Sequence, residues 1–309
     1  MPKVFILILH WQNYEVTKRC LESFRGVTYK NFEIIVLDNA STNDSPKRLK
    51  SEFPEMIFIF NTDNRGYGAG MNPGIQYALK HEADYIFLLN NDVIVHQPNF
   101  IQKLVEFMET HPRVGILGPK LLFTNGTYQK SYNKFILSMA LEPWWPGMLT
   151  TILRKLKIAH SKENDIFRVA WLNAVALFLR RGVFDKIGLM DERFFLGAED
   201  IDLSLRAKRE GWETWYYPEA ELIHVSFVSH IKNTIAYDNY YAVSTVQFLY
   251  KHYPRVFAFI LQVLAALGFF LRGVEWFVLS IINRRRFHRA NEFFAIGKKF
   301  LSTFPKRNI

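Results

Sequence analysis

Three carboxylates crowd the segment Glu199-Asp200-Ile201-Asp202, at the start of an expected helix and directly behind the aromatic turn Phe194-Phe195. Such a cluster must be neutralised, solvated or used. Ordinary N-terminal helix charge accounts for part of it, because the helix dipole stabilises exposed acids there by about 0.3–1 kcal/mol each and keeps them ionised. An ionised carboxylate beside a cleft is also what a general base needs to take a proton from an attacking hydroxyl. At helical spacing Asp200 and Ser204 share one face, while Ile201 and Leu205 form the apolar stripe.

Three more polar groups follow apolar strands. Asp38-Asn39-Ala40-Ser41-Thr42-Asn43-Asp44-Ser45 closes the strand Glu33–Leu37. Turn and N-cap chemistry explains Asp44 and Ser45, but Asp38 lies before the cap, where it can accept from a ribose hydroxyl or a base N–H. Asn64-Arg65-Gly66-Tyr67-Gly68-Ala69-Gly70 reads as a flexible connection, or as a turn whose N–H groups and Arg65 meet a diphosphate at a helix start. Asn90-Asn91-Asp92 offers oxygen ligands to a hard divalent cation, which commonly takes one or two carboxylates plus phosphate oxygens. A single carboxylate holds such an ion weakly, so donor phosphates and a second side chain are needed. His224, after Leu222-Ile223, is the candidate, although a lone His is more often merely hydrogen-bonded.

The elements that must position these groups alternate. Strands are expected at Val4–Leu9, Glu33–Leu37, Ile57–Phe60, Tyr85–Leu89 and Val114–Leu117, and helices at Tyr14–Phe24, Ser45–Phe53, Ala69–His81 and Pro98–His111. Short apolar strands alternating with helices specify an α/β fold with a mostly parallel central sheet flanked by helices. Ligands of such sheets bind beyond the carboxyl ends of the strands, where Asp38, Asn64-Arg65-Gly66 and Asp92 all fall. From Leu121 to about Asp165 the pattern is irregular, and with Trp144-Trp145-Pro146-Gly147 it reads as a loop or lid that recognises an acceptor. Regularity returns with Val169–Leu179, a helix near Val183–Ile187, the Glu199–Glu210 helix and two short strands, Trp212–Tyr217 and Glu221–Val225.

The chain of 309 residues is 49% hydrophobic and 16% aromatic, enough for a sizeable core and against disorder. Its 39 Lys and Arg against 29 Asp and Glu give +10, with cations gathered at Arg284-Arg285-Arg286, Arg289, Lys298-Lys299 and Lys306-Arg307. Cys20 alone excludes an intramolecular disulfide and a Cys-rich zinc site, and fits a reducing compartment. The apolar run Val4–Leu9 is too short for a signal peptide and reads as a buried strand. The chain is expected to be helical from Ile235 onward. Val256–Leu271 is apolar apart from Gln262, and then Arg272 and Glu275 interrupt it before Trp276–Ile282. A mid-bilayer charge costs about 2.5–3.5 kcal/mol, so an interfacial helix with Arg284–Arg286 on anionic headgroups is favoured over a span.

Taken together, these segments resemble the family 2 glycosyltransferases, particularly the rhamnosyltransferase-like branch of cell-surface polysaccharide synthesis. The likeness rests on the order and spacing of Leu37–Thr42, Asn64–Gly66, Asn90–Asp92, Gly188–Phe195 and Glu199–Leu203, runs from about Val4 to Val225, and weakens toward Pro254. It implies a Rossmann-like GT-A fold and inverting transfer from a nucleotide-diphosphate sugar, dTDP-rhamnose or a UDP-sugar, to a lipid-linked or polysaccharide acceptor. On the matching positions Asp38, Asn39, Arg65, Gly66 and Asn91 would contact the donor. Asp92 and His224 would hold Mg2+ or Mn2+, Asp200 would be the base, Glu199 would orient the acceptor, and Trp171 and Asn173 would bind it. The catalytic domain would occupy residues 1–230, with a nucleotide-sugar half to about 120 and an acceptor half from 121. Residues 231–309 would form a helical anchor at the cytoplasmic face of the membrane. Two departures stand out: His10-Trp11-Gln12-Asn13 replaces a Thr-Tyr-Asn-like ending of the first strand, and Asn173 stands where many relatives have glycine.

Other classes fit less well. A sugar nucleotidyltransferase should carry a Gly-rich basic turn after the first strand, where His10-Trp11-Gln12-Asn13 stands instead. Nucleic acid is not an expected partner, because the tail arginines follow an apolar helix and do not interleave with stacking aromatics. A catalytically inactive binding or scaffold protein of the same fold is the alternative reading, and it does not need Asp92 and Asp200 together. A homo-oligomer is left open.

Overall fold

The computed structural model describes residues 1–141, 163–225, 234–282 and 287–304. Trp144–Gly147, Arg284–Arg286, Lys306 and Arg307, to which the sequence assigns a lid and a lipid contact, lie outside the described residues.

Strand β1 (Val4–His10) sends Val4, Ile6 and Ile8 into one core layer and Phe5 and Leu7 into another. Burial on both faces is why its sequence is continuously apolar rather than alternating. Truncating such a residue, as in Leu7→Ala, costs about 2–5 kcal/mol. β2 (Phe32–Asp38) and β4 (Tyr85–Asn90) flank β1 in parallel, and β3 (Ile57–Phe60) extends the sheet beyond β2. Helices α1 (Tyr14–Ser23), α2 (Ser45–Glu52), α3 (Tyr67–Lys80) and α4 (Phe100–Thr110) intervene as the patterning expects.

Beyond β4 the sheet is mixed. With β5 (Val93–Ile94), β6 (Val114–Leu122), β11 (Ala176–Arg180) and β12 (Glu213–His224), the strand order is β3-β2-β1-β4-β11-β6-β12-β5. β11 runs antiparallel to both β4 and β6, while β12 runs parallel to β6. The inversion matters for the site: the start of β11 and the ends of β2, β4 and β12 all fall on one edge. β12 replaces the two expected strands, because a register shift between Tyr217 and Glu221 absorbs the irregular residues without breaking the pairing. The expected continuous Val169–Leu179 element divides into β9 (Phe167–Val169) on β12, β10 (Trp171–Leu172) on β8 (Tyr132–Asn133), and β11. The segment expected to be irregular holds the end of β6, then β7 (Tyr128–Gln129) on β6, and β8. α5 (Arg181–Ile187) and α6 (Glu199–Arg209) complete this unit.

A second compact unit contains α7 (Thr234–His252), α8 (Arg255–Ile282) and α9 (Phe287–Ser302). Ala242 and Val246 of α7, Ala265, Ala266 and Phe269 of α8, and Ile296 and Phe300 of α9 form its core. Arg272 and Glu275 do not interrupt α8, which runs through them for 28 residues. The one strongly polar residue of Val256–Leu271 is buried: Gln262 Nε2 donates to Phe300 O (2.6 Å) and Thr303 O (2.9 Å), satisfying carbonyls at the end of α9.

Candidate active site

Asp38 closes β2, is 4% exposed, and accepts the Ser41 N–H on both oxygens at 3.3 Å, closing a turn in which Ala40 takes φ 58°. That single N–H leaves most of the carboxylate's acceptor capacity unused. The adjoining helix cap comes from Asn43, whose Oδ1 accepts from Ser45 N at 3.2 Å. Asp44, the expected cap, makes no such side-chain bond. Asn39 is internal: its Nδ2 donates to Asn64 Oδ1 (2.9 Å) and Gly66 O (3.3 Å), and its Oδ1 accepts from Asn61 Nδ2 (3.3 Å). It staples the end of β2 to the turn that opens α3.

That turn is engaged within the chain. Gly66 N donates to Asn64 Oδ1 (3.1 Å), Tyr67 N donates to Phe195 O (2.9 Å), and Gly70 N donates to Gly66 O (3.0 Å). Three of the N–H groups that the sequence offers to a diphosphate, those of Gly66, Tyr67 and Gly70, therefore already have acceptors. Gly66 is explained by φ 97° and by the Phe195 backbone, whose carbonyl oxygen would lie 2.0 Å from any Cβ. Arg65 is exposed and paired with Asp63 (3.3 Å) and Glu192 (2.9 Å). Asn72 of α3 clamps the same segment, donating to Met190 O and Glu192 Oε1 and accepting from Met190 N.

At the end of β4, Asn91 Nδ2 donates to Thr17 Oγ1 (2.8 Å). Asp92 is 3% exposed, and its Oδ1 receives no hydrogen bond among the described residues, yet His224 Nε2 lies 3.2 Å from it. The pairing of β12 with β5, His224 opposite Val93, creates this proximity, and Val225 N donates to Asp92 O. His224 Nδ1 lies 3.0 Å from Gln129 Oε1, and in the tautomer whose ring proton is on Nδ1 the Nε2 lone pair faces the carboxylate. Two facing acceptors need a cation or a proton between them. Their separation matches neighbouring ligands on one Mg2+-sized ion, about 3 Å apart for metal–ligand bonds of about 2.0–2.1 Å. No group of three or more His, Cys, Asp or Glu side chains gathers around an ion among the described residues. The pair therefore fits an ion completed by phosphate and water oxygens.

The acidic helix start divides its carboxylates. Asp202 is fully buried and bound by Arg206 Nε at 2.7 Å, with Arg206 Nη1 on Ile187 O, so it holds α6 in place. Glu199 is 5% exposed. Asp200, half-buried, accepts Ile201 N on Oδ1 (2.8 Å) and Ala174 N on Oδ2 (3.2 Å). Burial pushes its carboxyl up to about 6 against the pull of those N–H groups. Gly197 and Ala198, at φ 81° and 70°, turn the chain immediately before it.

Tyr67 has no chemical signature in the sequence, but its hydroxyl donates to Ala174 O at 2.8 Å, on the peptide unit next to the one whose N–H holds Asp200. Burial, then the charges of Glu199, Asp200 and Asp92, hold its phenol well above the usual value and keep it a donor. Asp92 and Asp200 thus both lie within electrostatic reach of one hydroxyl. Trp171 is 8% exposed, with Nε1 donating to Phe135 O (3.1 Å). Asn173, two residues on, is anchored by its N–H to Ser131 O.

The fold is that of the GT-A glycosyltransferases. Residues 5–177 match the sequence profile of Glycosyl transferase family 2, and the chain belongs to that family. It is 28% identical over 222 residues to the N-acetylglucosaminyl-diphospho-decaprenol L-rhamnosyltransferase of Mycobacterium tuberculosis, covering 67% of this chain and 71% of that one. It is 26% identical over 257 residues to the rhamnosyltransferase WbbL of Escherichia coli, covering 76% and 92%. These relatives place it in the rhamnosyltransferase-like branch. In fold it is similar to the mannosyltransferase PcManGT of Pyrobaculum calidifontis, solved with GDP-Man and Mn2+, with TM-score 0.59 and 16% identity over 97% of this chain and 87% of that one.

Proposed function

We propose that the protein transfers a single sugar, with inversion, from a nucleoside-diphosphate sugar to a hydroxyl of a diphosphate-lipid-linked or growing surface glycan, at the cytoplasmic face of a membrane. The observation that carries the reading is Asp200: a carboxylate raised to about 6, gripped by the Ala174 peptide, on the sheet edge where Asp38 and Asp92 also end their strands. The names of the two rhamnosyltransferases support L-rhamnose as the sugar, carried as dTDP-rhamnose, with a UDP-sugar as the other donor to test.

Asp38 accepts from the nucleoside, and Asn39 keeps its turn in place. Asp200 removes the acceptor hydroxyl's proton as that oxygen attacks the anomeric carbon on the face opposite the leaving diphosphate. A single displacement through an oxocarbenium-like state needs this one base and no second catalytic carboxylate. Glu199 orients the acceptor, and Tyr67 holds the peptide next to the one that holds the base. Asp92 and His224 would hold Mg2+ or Mn2+, which supplies neutralisation of the charge developing on the diphosphate. Arg65 reaches that charge by exchanging Glu192 for phosphate. The donor half is assigned to residues 1–120, the acceptor half to 121–230 and the membrane-associating helices to 231–309.

Calorimetry with UDP-, GDP- and dTDP-sugars, with and without Mg2+ or Mn2+, tests the donor side: metal-dependent binding of one donor is expected, and none for any donor overturns the reading. Asp200→Asn is expected to retain donor binding while transfer falls about 10²- to 10⁴-fold. An active variant removes Asp200 as the base.

A further inference from the structure

His10 is fully buried at the end of β1, beside Asp38 in the β1–β2 register. Its two ring nitrogens reach in opposite directions: Nδ1 lies 2.7 Å from Thr17 Oγ1 on α1, and Nε2 lies 2.7 Å from Ser45 Oγ at the start of α2. The outer partners fix which way every proton points. Asn43 Nδ2 donates to Gln12 O (2.8 Å), so Asn43 Oδ1 faces Ser45 and accepts its hydroxyl proton at 2.5 Å. Ser45 Oγ must then accept from His10 Nε2–H, which leaves Nδ1 bare to accept from the Thr17 hydroxyl. Thr17 Oγ1 in turn accepts from Asn91 Nδ2 at 2.8 Å.

The result is one directed chain, Asn91 to Thr17 to His10 to Ser45 to Asn43, in which each link has one donor and one acceptor. It runs beneath the sheet edge from the Asn91-Asp92 strand end to the turn that begins at Asp38. We infer that His10 is a positioning residue for the donor site: the uncharged ring holds the nucleoside-binding turn and the metal-binding strand end in one fixed register. The inference rests on the proposed donor reading of Asp38 and Asp92. A protonated ring would carry two donors and would force the Thr17 hydroxyl to turn its proton away, breaking the direction of the chain. Burial prevents that, lowering the imidazole to about 4 against the pull of Asp38. Neither Thr17 nor Ser45 is a donor contact, so their substitution reports on the chain itself.

The test is calorimetric titration of the full-length protein with UDP, GDP and dTDP, each with and without MnCl2. The wild type, Thr17→Val, Thr17→Ser, Ser45→Ala and the Thr17→Val/Ser45→Ala double variant are compared, with melting curves confirming that each is folded. Thr17→Val keeps the side chain's shape and removes the hydroxyl. It is expected to reduce the Mn2+-dependent gain in nucleotide affinity about two- to tenfold, the span of one lost hydrogen bond, with metal-free affinity nearly unchanged. Ser45→Ala is expected to weaken metal-free binding, and Thr17→Ser to restore wild-type behaviour. The double variant should lose less than the product of the two single effects, because both act through the same ring. Wild-type metal dependence in Thr17→Val, or independent effects in the double variant, overturns the inference while leaving the donor reading intact. Absence of nucleotide binding by the wild type overturns the donor reading, and the inference with it.

Discussion

Asp200 has a pKa placed for work near neutrality. Because only its ionised form can accept a proton, kcat/KM for transfer is expected to rise tenfold per pH unit up to about 6 and to level off above it. A pH–rate profile checks this, and a profile flat from pH 5 to 8 would exclude Asp200 as the group limiting the rate. The acidic side chains were legible in the sequence because their type and position carry the signal: Asp38, Asp92, Glu199 and Asp200 each follow a strand or open a helix. Tyr67, Asn72, Gln129 and His10 were not, since their importance lies in partners from distant segments: Ala174, Met190, His224 and Ser45. An aromatic ring or an amide in a polar stretch gives no hint of which carbonyl it will meet.

Among the elements, periodicity located the strands β1 to β4 and their helices within a few residues, because double-sided burial leaves an unbroken apolar run. It could not give the direction of β11, whose apolar sequence suits a parallel or antiparallel neighbour equally. Nor could it join the two halves of β12, since the bulge at Tyr217–Glu221 interrupts the pattern but not the pairing. The glycines of the α3 turn were legible as a turn, but not the close approach of the Phe195 backbone that leaves no room for a Cβ at Gly66. Gly66→Ala combines a strained φ with a clash against backbone. It is expected to lower Tm by several degrees, and transfer with it, through displacement of the segment leading to Glu199-Asp200. A variant melting with the wild type would show that Phe195 yields freely.

The molecule as a whole carries +10 and a long apolar helix, and these belong to one argument. α8 is the one described helix long and apolar enough to cross a bilayer by length and composition. Seven of its exposed residues, Ile260, Leu264, Leu267, Leu271, Val274, Val278 and Ile281, fall at alternating steps of four and three. That spacing draws a single stripe about 30 Å long. The opposite face is sealed by α9 and by Gln262. Exposed His288, Arg289, Asn291 and Lys298 on α9 would be costly in hydrocarbon, so a helix lying in the interface fits better than a span. Replacing Leu264, Leu271 and Val278 together by Glu is expected to abolish flotation of the full chain with anionic vesicles at unchanged fold. Continued flotation would place lipid binding elsewhere.

The inverted strand also sets a timetable. β2 pairs with β1 and β3, its neighbours in sequence, whereas Ala176 must find Leu89 and Thr214 must find Ile116 far back along the chain. Closing such long loops is slow, and local pairings form first. Pulse-labelled hydrogen exchange during refolding should therefore protect β1 and β2 before β11 and β12, and simultaneous protection would contradict this order. Until the late strands dock, Asp38 can be in place while Asp200 has no Ala174 N–H to grip and Asp92 no histidine across from it. A newly made chain would close the Asp38 turn before it could assemble the contacts of Asp200 and Asp92.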